Sequence, residues 1–278
     1  MSKDVMSFKA RIRNLAKERN INAQVLMQNF MFERLLERLS LSEYKDKFII
    51  KGGALIAAIV GIDTRSTMDL DATFKGLPFT EETIRHAMST VCLMPINDGV
   101  KLTVGTIAPI RPDDVYGGYS VKITAIYDTV EVPFSVDIST GDVITPHPIE
   151  YVFHCLFDDD KQINLWAYNM ETILAEKIET VLRRNILNTR ARDFYDIFIL
   201  IRTQPYNKTI LKEAFAATSE HRHTTEQVSN IHSILKLIED NAELKQMWEK
   251  YRKDFSYATN ITYEQVCEAI KYVCEALL

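Results

Sequence analysis

The segment Lys51-Gly52-Gly53-Ala54 and the strand-like segment Met68–Phe74 that follows it place the strongest constraint on the fold. Side chains alternate between the two faces of a strand, so Asp69 and Asp71 point to one face while Leu70 points to the core. Two carboxylates on one face repel each other unless a cation lies between them. Glycines let backbone N–H groups at a helix N-terminus approach phosphate oxygens. The sequence therefore predicts a phosphate-binding turn and a short helix, followed by a strand that carries a cation site.

Mg²⁺ is the cation that this combination favours, because proteins hold it with one or two carboxylates together with substrate phosphates. A third carboxylate, Asp137, lies on a later predicted strand between the apolar residues Val136 and Ile138. A carboxylate flanked by core residues requires a partner or a metal. If this strand lies beside that of Asp69 and Asp71, three carboxylates converge, as two-metal nucleotidyl transfer requires. The alternatives are a solvated strand face for the first pair and a turn carboxylate for Asp137.

A second group of charged residues lies on two predicted helices of the C-terminal half. Lys177 belongs to a predicted helix over Met170–Leu187, and the segment Arg190-Ala191-Arg192-Asp193 enters the next helix. Arginine and lysine side chains at such positions can hold phosphate oxygens. Three roles are open for Asp193: capping the second helix, orienting Lys177 or binding nucleotide. On spacing alone, surface ion pairs between two helices are the favoured alternative.

Composition limits the class of protein. Of 278 residues, 46% are hydrophobic and 26% are charged, as is ordinary for a soluble globular protein. A net charge of −5 opposes a generally basic nucleic-acid coat but permits a local basic groove. The four cysteines lack metal-ligand spacing, which predicts buried free thiols in a reducing cytosol. No secretory signal and no apolar run of ~20 residues is evident, so we expect a cytoplasmic protein without a membrane span.

The order of the predicted elements favours an α+β fold. Residues 1–150 are predicted to form N-terminal helices and an α/β core with a mixed sheet, and residues 151–278 a helical C-terminal domain that completes the active site. Period-two alternation predicts strands over Val100–Val104, Tyr119–Ala125 and Val130–Ile138. Residues 113–118 are predicted to form a hairpin loop between the first two of these strands. Thr262 and Gln265 form a capping-box pattern for the last helix.

These residues together resemble a known family. The chain is similar to the AbiEii-type nucleotidyltransferase toxins of bacterial abortive-infection and type IV toxin–antitoxin systems, which belong to the polymerase-β-like nucleotidyltransferase superfamily. The resemblance extends over five blocks in the expected order: Lys51-Gly52-Gly53, Arg65-Ser66-Thr67-Met68-Asp69-Leu70-Asp71, Asp137-Ile138-Ser139, Leu174-Ala175-Glu176-Lys177 and Arg190-Ala191-Arg192-Asp193-Phe194-Tyr195-Asp196. There are two departures: the superfamily commonly has serine at the position of Gly53, and many relatives have lysine at that of Arg192.

The resemblance implies a role for each matching residue. Gly52 and Gly53 would hold the nucleotide phosphates, Asp69 and Asp71 would bind Mg²⁺, Lys177 would contact the triphosphate and Asp193 would be an essential acid of the nucleotide pocket. Lys51, Arg65, Thr67, Arg190 and Arg192 are expected beside the nucleotide, and Asp137 is the expected third metal ligand. The implied reaction transfers a nucleoside monophosphate from an NTP to an RNA acceptor, such as the 3′ end of tRNA, and so inhibits growth as a defence against phage. The implied partner is a repressor-type antitoxin that need not touch the toxin.

Two other functions remain open. The first is nucleotidylation of a small molecule, as in other members of the superfamily, and the second is a nucleotide-binding module without catalysis. An RNA acceptor predicts a basic groove, for which the candidate residues are Arg183, Arg184, Lys208, Lys212 and Lys253. A small-molecule acceptor predicts a closed acidic pocket instead. A module without catalysis would bind Mg²⁺–NTP but transfer nothing.

Overall fold

The computed structural model describes residues 3–110 and 117–278, so four of the six residues of the predicted hairpin loop, 113–116, lie outside the described part. The chain divides into two compact units. The first comprises the chain up to Asp142 together with Ile149–Ala167, and the second comprises Val143–Pro148 together with Tyr168–Leu278. Strands in the first unit and helices in the second confirm the α+β class.

The first unit contains a mixed sheet with helices. Its helices are α1 (Lys3–Glu18), α2 (Ala23–Leu41), α3 (Gly52–Val60) and α4 (Glu81–Leu93). Its strands are β1 (Phe48–Lys51), β2 (Leu70–Phe74), β3 (Val100–Ile110), β4 (Gly118–Tyr127), β5 (Val130–Thr140), β6 (Ile149–Cys155) and β7 (Asp158–Ala167). Within the described residues the strand order is β3-β4-β5-β2-β1-β7-β6. The parallel pairs are β2 with β5 and β1 with β7, and the other neighbours are antiparallel.

The hairpin of β6 and β7 extends the sheet beyond residue 150. Ile49 and Ile50 of β1 pair in register with Trp166 and Ala167 of β7. The predicted domain boundary at residue 150 therefore lies within β6, before the last two strands of the sheet are complete. The start of β7 is polar and therefore resembles a loop in sequence: it reads Asp158-Asp159-Asp160-Lys161. Strand formation there depends on pairing with β6, which the local sequence does not indicate.

One face of the sheet is apolar and forms the core of the first unit. Leu70, Ala72 and Phe74 of β2 are buried, and they alternate with the more polar positions 71 and 73. Leucines of α2 and apolar residues of α4 line the same space, namely Leu35, Leu36, Leu39, Met88 and Val91. A fully buried side chain of this size contributes about 1.5–3 kcal/mol to stability. Burial of this face fixes the register, so it also fixes the direction in which Asp71 points.

The second unit consists of helices with polar N-caps. Its helices are α5 (Met170–Arg184), α6 (Ala191–Thr203), α7 (Lys208–His221), α8 (Ile231–Glu239), α9 (Ala242–Asp254) and α10 (Tyr263–Cys274). Asn169 caps α5 by accepting a hydrogen bond from the Thr172 N–H. The capping box predicted for Thr262 and Gln265 is confirmed at α10. Each such cap satisfies a backbone donor and contributes about 1 kcal/mol.

Two further expectations concern the interior and the membrane. The four cysteines are buried and not disulfide-bonded. In the described part of the chain, we find no helix that is both long and apolar enough to cross a bilayer.

A buried carboxyl group on α2 makes the stability of the first unit depend on pH. Burial raises the pKa of Glu33 from about 4.5 to about 8, although Arg34 and the Leu156 N–H oppose the shift. The folded protein thus keeps a proton that the unfolded chain has lost, so the free energy of unfolding falls as the pH rises between these two values. Glutamine does not titrate, so Glu33→Gln removes this pH-dependent loss of stability. Its amide oxygen can still accept the hydrogen bond of 2.8 Å from the Leu156 N–H. We expect the variant to be more stable than the wild type by about 1–3 kcal/mol at about pH 9 and not at about pH 5, in urea unfolding. The same change at the exposed Glu43 is the control, and equal effects of both changes would contradict the assignment.

Candidate active site

The turn between β1 and α3 requires glycine at position 52. Gly52 has φ +65°, in the left-handed region, and a Cβ atom there would lie 2.1 Å from Asp71 Oδ2. The next backbone N–H, of Gly53, donates a long hydrogen bond of 3.4 Å to the same oxygen. The first turn of α3 therefore lies directly against the carboxylate of Asp71.

Asp71 and Asp137 are neighbours across two strands. Because β2 and β5 pair in parallel with Asp71 opposite Asp137, both side chains lie on the same face of the sheet. Burial raises the pKa of Asp71, and the charges of Asp137 and Asp69 raise it further, while Lys51 and the Gly53 N–H act in the opposite direction. Asp69 precedes β2 and is exposed. Asp69 and Asp137 therefore both lie close enough to Asp71 to influence its carboxyl group.

The carboxylates of Asp71 and Asp137 fit a cation whose coordination is completed by the substrate. Within residues 3–110 and 117–278, no three His, Cys, Asp or Glu side chains converge closely enough to hold a metal ion on their own. Mg²⁺ usually takes one or two carboxylates and obtains its other oxygens from water and phosphates. The hard oxygen donors of Asp71 and Asp137, whose mutual repulsion a divalent cation would relieve, fit that chemistry.

Arg65 and Thr67 pack on the first turn of α3. Both are buried, with 1% and 2% exposure. A Cβ atom on Gly53 would lie 2.7 Å from Thr67 Oγ1 and 2.9 Å from Arg65 Nη1. A buried guanidinium adds positive charge where the helix dipole is already positive, which favours an anion such as phosphate. The loop is held by α2, through hydrogen bonds from Gln28 to the Met68 carbonyl at 2.7 Å and from Asn29 to the Thr67 carbonyl at 2.9 Å.

Lys51 has partners that the sequence did not indicate. Its Nζ lies 2.6 Å from Ser139 Oγ and 2.8 Å from Asp142 Oδ2. Thr73 Oγ1 and Ser139 Oγ also donate to Asp142 Oδ2, at 2.6 and 2.5 Å. A signal for two of these residues existed, since Thr73 and Ser139 each follow a candidate carboxylate by two positions and so share its face.

The second unit brings its predicted lysine and acid together. Lys177 Nζ lies 2.6 Å from Asp193 Oδ1 and 2.9 Å from Asp196 Oδ2. Asp193 is therefore in contact with Lys177, and the N-cap residue of α6 is Arg190 rather than Asp193. Asp196 is completely buried and was missed, although its spacing of three from Asp193 places both on one helix face. Arg190 is exposed and Arg192 half-buried.

The second carboxylate oxygen of Asp193, Oδ2, is a hydrogen-bond acceptor in the interior of this unit. Asp193 is 5% exposed, and its Oδ2 atom is buried without a hydrogen-bond partner in the described part of the chain. A buried acceptor of this kind costs about 1–3 kcal/mol unless it is satisfied. The lysine and the unsatisfied acceptor together are suited to a ligand that carries both anionic and donor groups.

Comparison with known proteins gives the family. The sequence model described as "Nucleotidyl transferase AbiEii toxin, Type IV TA system" matches residues 34–271. The chain belongs to this family. AbiEii members are nucleotidyltransferases, and the match includes every block on which the resemblance was based. No curated protein sequence gives a significant match.

Solved structures similar to this AbiEii member are distant. The crystal structure of JHP933 from Helicobacter pylori is 16% identical, with 92% of this chain and 94% of that chain covered and a TM-score of 0.49. A second H. pylori structure is 14% identical and has the same TM-score. An antigenic nucleotidyltransferase-like protein from Paracoccidioides brasiliensis is 16% identical over 70% of this chain and 92% of that chain, with a TM-score of 0.38. The family assignment rests on the match of the family sequence model.

The close packing of Gly52 against Asp71 leads to a prediction for the turn. Gly52→Ala must adopt a left-handed conformation and also displace the Asp71 carboxylate, so we expect a loss of stability of about 3 kcal/mol together with a loss of nucleotidyl transfer. Gly76→Ala is the matched control, because Gly76 has φ +74° but its Cβ atom would meet only the flexible end of Lys47 at 3.4 Å. The control should lose about 1 kcal/mol and keep its activity. Urea unfolding and a transfer assay measure both effects, and equal losses in the two variants would show that backbone strain alone explains the result.

Proposed function

We propose that this AbiEii-family protein is a Mg²⁺-dependent toxin that transfers a nucleoside monophosphate from an NTP to an RNA acceptor, with tRNA as the acceptor and growth inhibition as the result. The observation that carries the proposal is the row formed by Asp71 and Asp137 beside the glycine turn at the start of α3. Carboxylates next to a phosphate-binding helix N-terminus are the arrangement that nucleotidyl transfer requires.

Each part of the first unit then has a task. The N–H groups of the Gly52-Gly53 turn and the buried Arg65 bind triphosphate oxygens, with Thr67 holding the loop. Asp71 and Asp137, with Asp69 beside them, would hold Mg²⁺ together with phosphate and water oxygens, and the bound ion would supply positive charge for the phosphates and for the attacking hydroxyl. The acceptor hydroxyl loses its proton to solvent and forms a bond to the α-phosphorus. The bond from the α-phosphorus to the oxygen that bridges it to the β-phosphorus breaks, and pyrophosphate leaves. Positioning and electrostatic stabilisation account for most of the catalysis in such reactions.

For the second unit we propose that Lys177 contacts the triphosphate. Its Nζ is already held by two carboxylates, so its direction is fixed before the nucleotide binds. The proposed role of Asp193 is twofold: one oxygen orients Lys177, and the other accepts a hydrogen bond from the nucleotide. Arg190 and Arg192 are proposed to add positive charge near the phosphates.

The candidate groove residues do not decide between the acceptors. Arg183 pairs with Glu179 at 2.9 Å, and Lys212 donates to the Leu278 carbonyl at 2.9 Å. Lys208 lies over the ring of Tyr272 at 5.4 Å. Some of this positive charge is therefore used within the second unit, and the preference for tRNA rests on the family.

One experiment separates the candidate functions. The purified protein is incubated with Mg²⁺, each α-labelled NTP in turn, and either total tRNA or an aminoglycoside, with Asp69→Ala as the control. Label on tRNA from the wild type alone supports the proposal and identifies the base. Label on the aminoglycoside alone supports the small-molecule alternative. NTP binding without transfer to either acceptor would favour the non-catalytic module.

The proposal also includes the setting of the reaction. We propose a cytoplasmic location, because a tRNA acceptor would be found there, and the type IV family description implies an antitoxin. We propose a repressor-type antitoxin that does not need to touch the toxin. Growth should then recover when the antitoxin is co-expressed, without a stable complex in size-exclusion chromatography. A stable complex would contradict this part of the proposal.

A further inference from the structure

A lysine lies in the same row of the sheet as the candidate metal ligands. Lys51 is in register opposite Asp71, and Asp71 is in register opposite Asp137, so the three positions lie side by side on β1, β2 and β5. Residues that pair directly across neighbouring strands point to the same face of the sheet, so Lys51 shares the face of the two carboxylates. A fixed positive charge therefore already lies beside the carboxylates when no metal is bound.

A carboxylate oxygen of Asp142 and the hydroxyl group of Ser139 both anchor this lysine. Asp142 Oδ2 receives three donors: Lys51 Nζ at 2.8 Å, Thr73 Oγ1 at 2.6 Å and Ser139 Oγ at 2.5 Å. The donors come from three adjacent strands, and Asp142 itself follows the end of β5. Gly141, with φ +79°, provides the turn that allows Asp142 to reach back over the sheet.

The anchor is largely protected from solvent. The side chains of Lys51 and Asp142 are 15% and 17% exposed, and Thr73 is 3% exposed. Burial alone would favour the neutral form of Asp142, but Lys51 and the two hydroxyl groups more than offset it and hold the pKa of this carboxyl group below its usual value. Charge-assisted hydrogen bonds in such surroundings are stronger than those at the surface. Lys51 is therefore held in one place.

We propose that Lys51 is an internal counter-ion that limits how tightly Asp71 and Asp137 bind a divalent cation before the nucleotide arrives, and that Asp142 is a positioning residue that keeps the ammonium group from moving closer to Asp71. The inference rests on the proposed function, because it takes these carboxylates as the metal ligands. A fixed ammonium repels an incoming cation and partly satisfies the carboxylates. The triphosphate brings negative charge that offsets the positive charge of Lys51. The metal therefore binds tightly only together with its NTP.

This role differs from that of a phosphate ligand. A lysine that only binds phosphate affects the KM for NTP and leaves metal binding by the nucleotide-free protein unchanged. A counter-ion changes metal binding when no nucleotide is present. Mn²⁺ binding to the nucleotide-free protein, followed by the electron paramagnetic resonance signal of free Mn²⁺, therefore separates the two roles without measuring activity.

The first comparison removes the charge. Lys51→Met is expected to bind Mn²⁺ about tenfold more tightly than the wild type, because removal of a nearby unit charge strengthens the attraction for a divalent ion. Lys122→Met is the matched control. Lys122 Nζ also donates to a serine of β5, Ser135 Oγ at 2.7 Å, but it is exposed and no carboxylate anchors it in the described contacts. Equal affinities of Lys51→Met and the wild type would overturn the inference.

The second comparison tests whether Asp142 acts through Lys51. Asp142→Asn releases Lys51 towards Asp71, so Mn²⁺ binding should weaken by about threefold or more. The same substitution in the Lys51→Met background should change the affinity much less. Equal weakening in both backgrounds would show that Asp142 acts by its own charge and would overturn the positioning role. Ser139→Ala loosens the same anchor, so it should also weaken Mn²⁺ binding. It replaces Asp142→Asn in this comparison if a variant with that substitution fails to fold.

One more variant separates failure of this inference from failure of the proposed function. Asp71→Asn should strongly weaken Mn²⁺ binding if Asp71 is a metal ligand. If Asp71→Asn weakens binding but Lys51→Met leaves it unchanged, only the counter-ion role is wrong. If Asp71→Asn leaves binding unchanged, the proposed metal site itself is wrong.

Discussion

Asp69→Ala is expected to reduce nucleotidyl transfer by about a thousandfold or more, because Asp69 is a proposed metal ligand and the loss of such a ligand removes several kcal/mol of transition-state stabilisation. The fold should remain intact. Asp69 is exposed, and its hydrogen bonds with the Thr67 hydroxyl involve the backbone N–H and carbonyl, which alanine retains. Removal of one negative charge beside Asp71 also relieves repulsion. A single-turnover assay with labelled NTP measures the loss, and thermal unfolding checks the fold.

A neighbouring carboxylate provides the control for Asp69. Asp63 is exposed and lies in the same connection between α3 and β2. Asp63→Ala changes the net charge by the same amount, so it should retain activity close to that of the wild type. Retained transfer in Asp69→Ala, or equal losses in the two variants, would contradict the assignment of Asp69 to the catalytic centre.

Much of the carboxylate face was predictable from local pattern. Strand alternation predicted that Asp71 and Leu70 point to opposite faces of the sheet. In the structure Leu70 is buried, and Asp71 pairs in register with Asp137. The adjacency of Asp137 remained conditional in the sequence, because apolar alternation identifies a strand but not its neighbour. Pairing of β2 with β5 in parallel is a tertiary result, and it brings together residues that lie 66 positions apart, as Asp71 and Asp137 show.

The residues that sequence reasoning missed depend on turns and partners. Asp142 follows Gly141, and the sequence does not show which residue it contacts, whereas the structure turns the chain back so that Asp142 reaches Lys51. Asp196 lies within an apolar helical stretch, and its spacing of three from Asp193 was the one sign that both residues share a helix face. The hairpin of β6 and β7 was missed for a related reason, since the polar start of β7 is a strand only because β6 pairs with it.

The second large effect is expected at Lys177, where stability and substrate binding must be separated. Lys177→Met removes a cation that pairs with the buried carboxylates of Asp193 and Asp196, so we expect a loss of about 3 kcal/mol in the free energy of unfolding. The exposed pair of Lys245 and Glu264, with 55% and 64% exposure, is the control, and Lys245→Met should cause no measurable change. Urea unfolding of the variants measures both.

A double variant then isolates the proposed contact with the triphosphate. Lys177→Met combined with Asp196→Asn removes the cation together with one of the two buried charges, so most of the lost stability should return. NTP affinity should not return with it, because the neutral side chain offers no charge to the phosphates. The comparison uses fluorescent NTP binding at a temperature where every variant is folded. If NTP affinity recovers together with stability, Lys177 serves only the packing of α5 against α6. If affinity stays low in the restabilised protein, the two carboxylates have a functional purpose as well as a structural one, since they hold a lysine whose charge the nucleotide requires.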